Sequence, residues 1–246
     1  EEMLKTMISA GMNVARLNFS HGDYQEHGAR INMIKKVRED LNLPVAILLD
    51  TKGPEIRTGD FIEKEVFLTE GQRFTLTTRD ILGDTTVCSI SYKGLPGDVS
   101  AGDMILIDDG LVAMKVTEVR GGEDIVCIVQ NSGIIKNHKG INVPGIHINM
   151  PPITEKDEAD ILFGIDSGID FIAASFVRRS EDVSTIRELL KKNRAEHIQI
   201  IAKIENREGI DNIDGIIEVS DGIMVARGDL GGEVPAEELP LLQKRI

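Results

Sequence analysis

The sequence predicts an α/β chain built from strand–helix units and split by an all-β insertion. Three observations carry that prediction. Residues 3–50 and 151–246 alternate apolar runs with helical stretches at tight spacing, which is how parallel sheets and barrels are wired. Residues from about 55 to 150 hold short alternating strands between Gly and Asp turns. Two apolar runs, IIAKIEN at 200–206 and MVARGDLG at 224–231, stop abruptly in charge, as buried parallel strands do where a barrel places its chemistry.

The first segment reads as a helix, MLKTMISAG, ending at Gly11, then a strand NVARLNF, a helix from about Asp23 to Leu43, and a strand VAILLD. The insertion supplies EVFLTEG, QRFTLTT, TVCSISY, DMILIDDGLVAMKVTEV and DIVCIVQ, whose repeated alternation predicts a small barrel. Pro54 at one edge and the Met-Pro-Pro of 150–152 at the other punctuate it, giving segments 1–53, 54–150 and 151–246. The last segment reads as a helix from about Glu155 to Ser167, strand DFIAASFV, helix SEDVSTIRELLKKN, strand IQIIAKIE, a short helix near 207–218 and strand GIMVARG.

Composition narrows the function. Of 246 residues, 41% are hydrophobic, ample for a buried core. There is no apolar stretch of membrane-spanning length and no signal peptide, so the expectation is a cytoplasmic protein without a membrane span. The chain opens without an initiator Met and closes on LPLLQKRI in mid-pattern, which reads as a segment of something longer. Cys88 and Cys127 sit in apolar runs with no CxxC or His neighbour, and read as reduced, buried thiols. A net charge of −13, no Trp and 4% aromatics argue against nucleic-acid binding. An anionic substrate needs a locally positive site built from metal ions and a few Lys and Arg residues.

The two strand ends offer Lys203, Glu205 and Asp229, and period two puts Lys203 and Glu205 on one face. Carboxylates from neighbouring strand ends suit Mg²⁺, which takes one or two of them and fills its shell with water and substrate oxygens. A lysine beside such an ion can neutralise charge on a substrate oxygen or on a phosphoryl group in flight. Taken singly, Lys-x-Glu also describes a solvated cross-strand pair, and Gly-Asp-Leu-Gly a turn. Their apolar flanks and shared strand-end context favour the site.

Longer strings make the reading specific. NVARLNFSHG at 13–22, LLDTKGPEIRTG at 48–59, KNHKGINVPG at 136–145, PPITEKD at 151–157, ASFVR at 174–178, AKIENREG at 202–209 and VARGDLGGEVP at 225–235 run almost end to end. In that order the chain resembles the pyruvate kinase family. The resemblance implies a partial (β/α)8 TIM barrel: a first part (1–53), an inserted β-barrel lid domain (54–150) and a truncated second part (151–246). It implies phosphoryl transfer from phosphoenolpyruvate to ADP, giving pyruvate and ATP in glycolysis, with Mg²⁺ (or Mn²⁺) and K⁺. It also implies a homo-oligomeric parent, a homotetramer in the family.

Residue by residue, the resemblance gives Glu205 and Asp229 the divalent ion, and Lys203 the transition state at the phosphoryl group and the enolate oxygen. Backbone amides of Arg227, Gly228 and Asp229 face the substrate carboxylate. Arg16 lies on the phosphoryl group, while Asn18, Ser20, Asp50 and Thr51 supply oxygens to K⁺. Family members that need no K⁺ tend to carry lysine at the position of Glu55, so an acid there implies K⁺ dependence. His21, Arg57 and Lys139 match positions near the ADP phosphates, with Ser175 and Phe176 at a strand end. Without the family, Asn18 and Ser20 read as capping or turn residues, His21 as a turn histidine and Lys139 as a solvated loop charge.

Two other readings stand beside the kinase. A metal-dependent aldolase or lyase could work through a pyruvate enolate held by the same Glu and Asp pair, but it has no use for the insertion with Arg57 and Lys139. A non-enzymatic piece that binds metal or nucleotide is the other, because five or six strands cannot close an eight-stranded barrel.

Overall fold

The computed structural model describes residues 1–235 and 237–246, which form two compact units. Glu1–Pro54, Pro152–Ile204 and Asn212–Val225 make the first; Glu55–Pro151, Glu205–Asp211 and Ala226–Ile246 make the second.

The chain begins in the first unit with α1 (Glu2–Ser9), β1 (Val14–Asn18), α2 (Tyr24–Leu41) and β2 (Ala46–Asp50). Asp23 starts α2 by accepting the Glu26 N–H at 2.9 Å, and Asn42 ends it in the left-handed region at φ 50°. The second unit follows with β3 (Ile56–Arg57), β4 (Glu65–Leu68), β5 (Arg73–Thr77), β6 (Val87–Ser89), α3 (Leu95–Asp98), β7 (Met104–Ile107), β8 (Val112–Arg120), β9 (Asp124–Val129), β10 (Gly133–Lys136) and β11 (Gly140–Asn142). Returning to the first unit are α4 (Glu155–Asp166), β12 (Phe171–Ala174), α5 (Ser180–Lys192) and β13 (Gln199–Ile204). Then come α6 (Arg207–Asp211), α7 (Ile213–Val219), β14 (Gly222–Val225), α8 (Arg227–Leu230) and α9 (Leu239–Arg245).

In the first unit the strands lie side by side in chain order, β1-β2-β12-β13-β14, every pair parallel. That succession is the wiring of a βα barrel. Its central strands are apolar on both faces: successive residues Ile47, Leu48 and Leu49 of β2, and Ile172 and Ala173 of β12, are buried. At the head of α4, Thr154 and Asp157 form a capping box.

The insertion is a small β barrel. Its seven-stranded sheet runs β3-β11-β7-β8-β9-β5-β6, and the two outer strands meet: Thr58 bridges Ile90, Gly59 N–H donates to Ser89 O at 2.8 Å and Ser91 N–H to Arg57 O at 2.9 Å. Gly59 fits closely there, since a Cβ would stand 2.0 Å from Ser89 Oγ and that hydroxyl would have to turn aside. A second ribbon pairs β4 with β10. Phe74, Leu76, Ile105, Ile107, Met114 and Ile125 fill the interior.

Several boundaries differ from those read in the sequence. DFIAASFV leaves the sheet at Ala174, because Phe176 turns into the left-handed region at φ 57°. GIMVARG stops at Val225 and its Arg and Gly enter α8. The helix near 207–218 is two helices, α6 and α7, which meet at Asn212. β3, β10 and β11 are too short to show a period of two and escaped the pattern.

Both cysteines are free and buried, and burial pushes each thiol up to about 12. Among the described residues no helix is long and apolar enough to cross a membrane.

Candidate active site

Parallel register levels the carboxyl ends of the first unit's strands. Asn18 lies opposite Asp50, Asp50 opposite Ala173, and Ala174 opposite Ala202, so Arg16, Asp50, Thr51, Ser175 and Lys203 come from four adjacent strand ends. Asp50 is the hub. Its Oδ2 accepts from Arg16 Nε at 2.6 Å and also pairs with Arg16 Nη2, while its Oδ1 lies 3.1 Å from Lys203 Nζ. Lys203 Nζ also donates to Ser175 Oγ at 2.8 Å, and Ser175 Oγ donates to Thr51 O at 2.7 Å. Thr51 Oγ1 in turn accepts from Ser175 N–H at 3.0 Å.

These contacts decide the local charge. Two cations share the Asp50 carboxylate at the strand ends of a chain whose net charge is −13. The side chains of Lys203 and Asp50 are 9% and 2% exposed, so their pair is weakly screened, whereas Arg16, at 53%, presents its guanidinium to solvent.

Two further features shape this face. Gly53, at φ +74°, packs so closely that a Cβ would sit 2.8 Å from Ser175 Cβ and 2.9 Å from Phe176 Cδ2. Its N–H donates at 2.9 Å to Asp157, a fully buried carboxylate whose other oxygen accepts from Thr154 N–H and Oγ1. PPITEKD therefore fastens α4 to the loop after β2. The T-x-x-D spacing is a capping-box signal that could have revealed this role in the sequence.

The segment after β1 is held from several sides. Asn18 Oδ1 accepts from Ser20 N–H at 2.9 Å, and Phe19 N–H donates to Asp50 O at 3.0 Å. Lys156 Nζ donates to Phe19 O at 2.9 Å. The buried ring of His27 stacks on Phe19 at 3.9 Å with its Nε2 2.8 Å from His21 O, while His21 itself is exposed. Asp160, also fully buried, pairs with Lys156 and accepts from Tyr24 Oη at 2.9 Å; burial and that carboxylate raise the Tyr24 phenol. Sequence reading passed over Lys156, Asp160 and His27.

The remaining predicted residues lie in the second unit. Glu205 follows β13 directly and is 1% exposed. Arg227, Gly228 and Asp229 are exposed and form the first turn of α8, where helix amides lack intrahelical acceptors. A Cβ on Gly228 would meet nothing within 4 Å, so the backbone there is open to approach. Since Ile204 pairs with Val225, Glu205 and Asp229 leave neighbouring strand ends. Among the described residues there is no group of three or more His, Cys, Asp or Glu that could hold a metal ion. Two hard oxygens from the protein suit Mg²⁺, which keeps water and substrate in its other positions.

Arg57 and Lys139 come together where β3 pairs with β11: Gly140 lies opposite Arg57, and Thr58 N–H donates to Lys139 O at 2.8 Å. Each side chain has a local partner. Arg57 Nε donates to Glu55 Oε2 at 2.7 Å, and Lys139 Nζ lies 3.0 Å from Asp108. Glu233, which sequence reading did not single out, accepts from Asn142 Nδ2 at 2.7 Å and from the Arg207 backbone N–H; burial nonetheless raises its carboxyl.

A parallel βα sheet with a carboxylate-centred cluster of charged side chains at its strand ends, and with a β-barrel insertion in the chain, defines the class as an α/β-barrel protein. A model of the pyruvate kinase barrel domain matches residues 1–246, and the chain belongs to the pyruvate kinase family. It is 56% identical, over its full length, to a pyruvate kinase of Clostridium acetobutylicum, covering 52% of that protein. It is 57% identical to one from Geobacillus stearothermophilus, covering 42%. A crystal structure of a pyruvate kinase from Cryptosporidium parvum superposes with a TM-score of 0.93 at 43% identity, over 99% of this chain and 51% of that one. The chain thus spans about half the length of the curated relatives it matches.

Proposed function

We propose that the protein carrying this chain transfers the phosphoryl group of phosphoenolpyruvate to ADP, giving pyruvate and ATP, with Mg²⁺ or Mn²⁺ and K⁺. The observation that carries the reading is the strand-end cluster in which buried Asp50 holds buried Lys203 and solvent-facing Arg16. Phosphoryl transfer needs positioning and charge neutralisation more than covalent chemistry. Arg16, anchored on Asp50 through Nε and Nη2, keeps Nη1 for the phosphate oxygens. Lys203 is held by Asp50 and Ser175 with its ammonium at the sheet's end, where it meets the transferring group and the enolate oxygen.

Glu205 and Asp229 are the residues that hold the divalent ion, and Asn18, Ser20, Asp50 and Thr51 offer hard oxygens to K⁺. When bound, the metals supply charge neutralisation at the phosphoryl and enolate oxygens. The amides of Arg227, Gly228 and Asp229 take the substrate carboxylate. Arg57, Lys139 and His21, with Ser175 and Phe176, serve the nucleotide side, and the insertion acts as a lid. Free, buried thiols accord with a reducing, cytoplasmic setting. A homotetrameric assembly belongs to the same reading, by resemblance. Family membership favours this reaction over a lyase using the same carboxylates.

Pyruvate formation by the full-length protein from phosphoenolpyruvate and ADP, with Mg²⁺ and K⁺, tests the reading. Turnover that disappears in Glu205→Gln is expected. Absence of turnover in the unsubstituted protein, or equal turnover in the variant, overturns it.

A further inference from the structure

Glu233 joins three pieces of the second unit. Its carboxylate accepts from the Arg207 backbone N–H, two residues past Glu205, and from Asn142 Nδ2 of β11 at 2.7 Å. Its own N–H donates to Leu230 O at 3.1 Å, and Gly232 N–H donates to Asp229 O at 3.0 Å, so its backbone is pinned to the turn that carries Asp229. One side chain therefore spans the segments leaving the two strand ends, and fixes both to the last strand of the insertion.

We propose that Glu233 is a positioning residue that sets the metal affinity of the Glu205–Asp229 pair. The inference rests on those two carboxylates holding the divalent ion. Two ligands from separate segments bind an ion well only if their spacing is fixed beforehand, since otherwise binding must order them. Glu233 fixes it through the Arg207 amide on one side and its own backbone on the other. The unit keeps two other ties here, a 3.0 Å contact between His147 Nδ1 and Glu208 and a 3.9 Å ion pair between Arg207 Nη1 and Glu238, so removal of the Glu233 side chain leaves the segments joined.

The test is Mn²⁺ binding to the full-length protein, read by electron paramagnetic resonance, with far-UV circular dichroism and a thermal melt for each variant. Glu233→Ala is expected to weaken Mn²⁺ binding about tenfold. Glu233→Gln keeps an acceptor for the Arg207 amide and is expected to restore affinity. A merely structural role would lower the melting temperature and leave Mn²⁺ affinity unchanged; that result in Glu233→Ala overturns the proposal. If Glu233→Ala does not fold, Glu233→Asp takes its place: the shortened carboxylate should show the same loss, and unchanged affinity overturns the proposal equally. Glu205→Gln separates the two claims. If it abolishes Mn²⁺ binding while Glu233→Ala does not weaken it, the metal site stands and the positioning role falls. If Glu205→Gln binds Mn²⁺ like the unsubstituted protein, the metal reading fails and takes the proposal with it.

Discussion

Asp50 Oδ1 lies 3.1 Å from Lys203 Nζ while its Oδ2 accepts from Arg16 Nε at 2.6 Å, so one buried carboxylate aligns cations from two strands that are not themselves neighbours. Asp50→Asn should release both. A stability loss of about 3 kcal/mol is expected from chemical denaturation, since the buried ion pair between Asp50 and Lys203 is broken. A melt indistinguishable from the unsubstituted protein would refute the hub role.

Lys203→Met should stop phosphoryl transfer while Mn²⁺ still binds, because Glu205 and Asp229 are untouched. Arg16 still pairs with Asp50 in that variant, so its stability loss should be smaller than that of Asp50→Asn. Near-normal turnover would remove Lys203 from the chemistry.

Glu55→Lys should lessen the K⁺ requirement, as the family resemblance implies. It also deprives Arg57 of its 2.7 Å partner, so the KM for ADP should shift in the same variant. Activity without K⁺ that stays at the unsubstituted level would contradict the first expectation.

Gly53→Ala places a Cβ 2.8 Å from Ser175 Cβ at a residue with φ +74°. The left-handed backbone alone costs an alanine about 1–2 kcal/mol, and the clash adds to it. A lowered melting temperature together with reduced turnover is expected; an unchanged melt would mean that the loop relaxes freely.

The thiols give a pH prediction. Burial raises Cys88 and Cys127 from an ordinary 9.0 to about 12, so the folded chain holds protons that the unfolded chain loses. Their contribution is complete below pH 9 and declines as pH rises toward 12, so stability should fall across that window. Cys→Ala variants should flatten the slope in urea titrations. The same burial predicts that neither thiol reacts with an alkylating reagent at neutral pH until the protein unfolds.

Much of the fold was legible because its signals are local. Asp23 and Asn42 bracket α2 where composition puts them, and the apolar VAILLD and IQIIAKIE runs are strands because both of their faces are buried. What stayed hidden depends on distant partners. Asp50 reads as the end of a strand, and only register shows that it lies opposite both Asn18 and Ala173. Phe176 carries no sequence mark for a positive φ, yet that turn ends β12 and presents Ser175 to Lys203. Glu233 looks like a loop acid until Asn142, far earlier in the chain, reaches it.

The pairing of β3 with β11 has a consequence for ancestry. The strand by which the chain enters the small barrel and the last strand before it leaves are hydrogen-bonded neighbours, with Ile141 opposite Ile56. A module whose two ends lie side by side can be spliced into a single loop of a host, and closing a loop grows only slowly more costly with its length. Replacing it with a few linking residues is then a graft with matched ends, and such a cassette can be exchanged between relatives without moving its points of attachment.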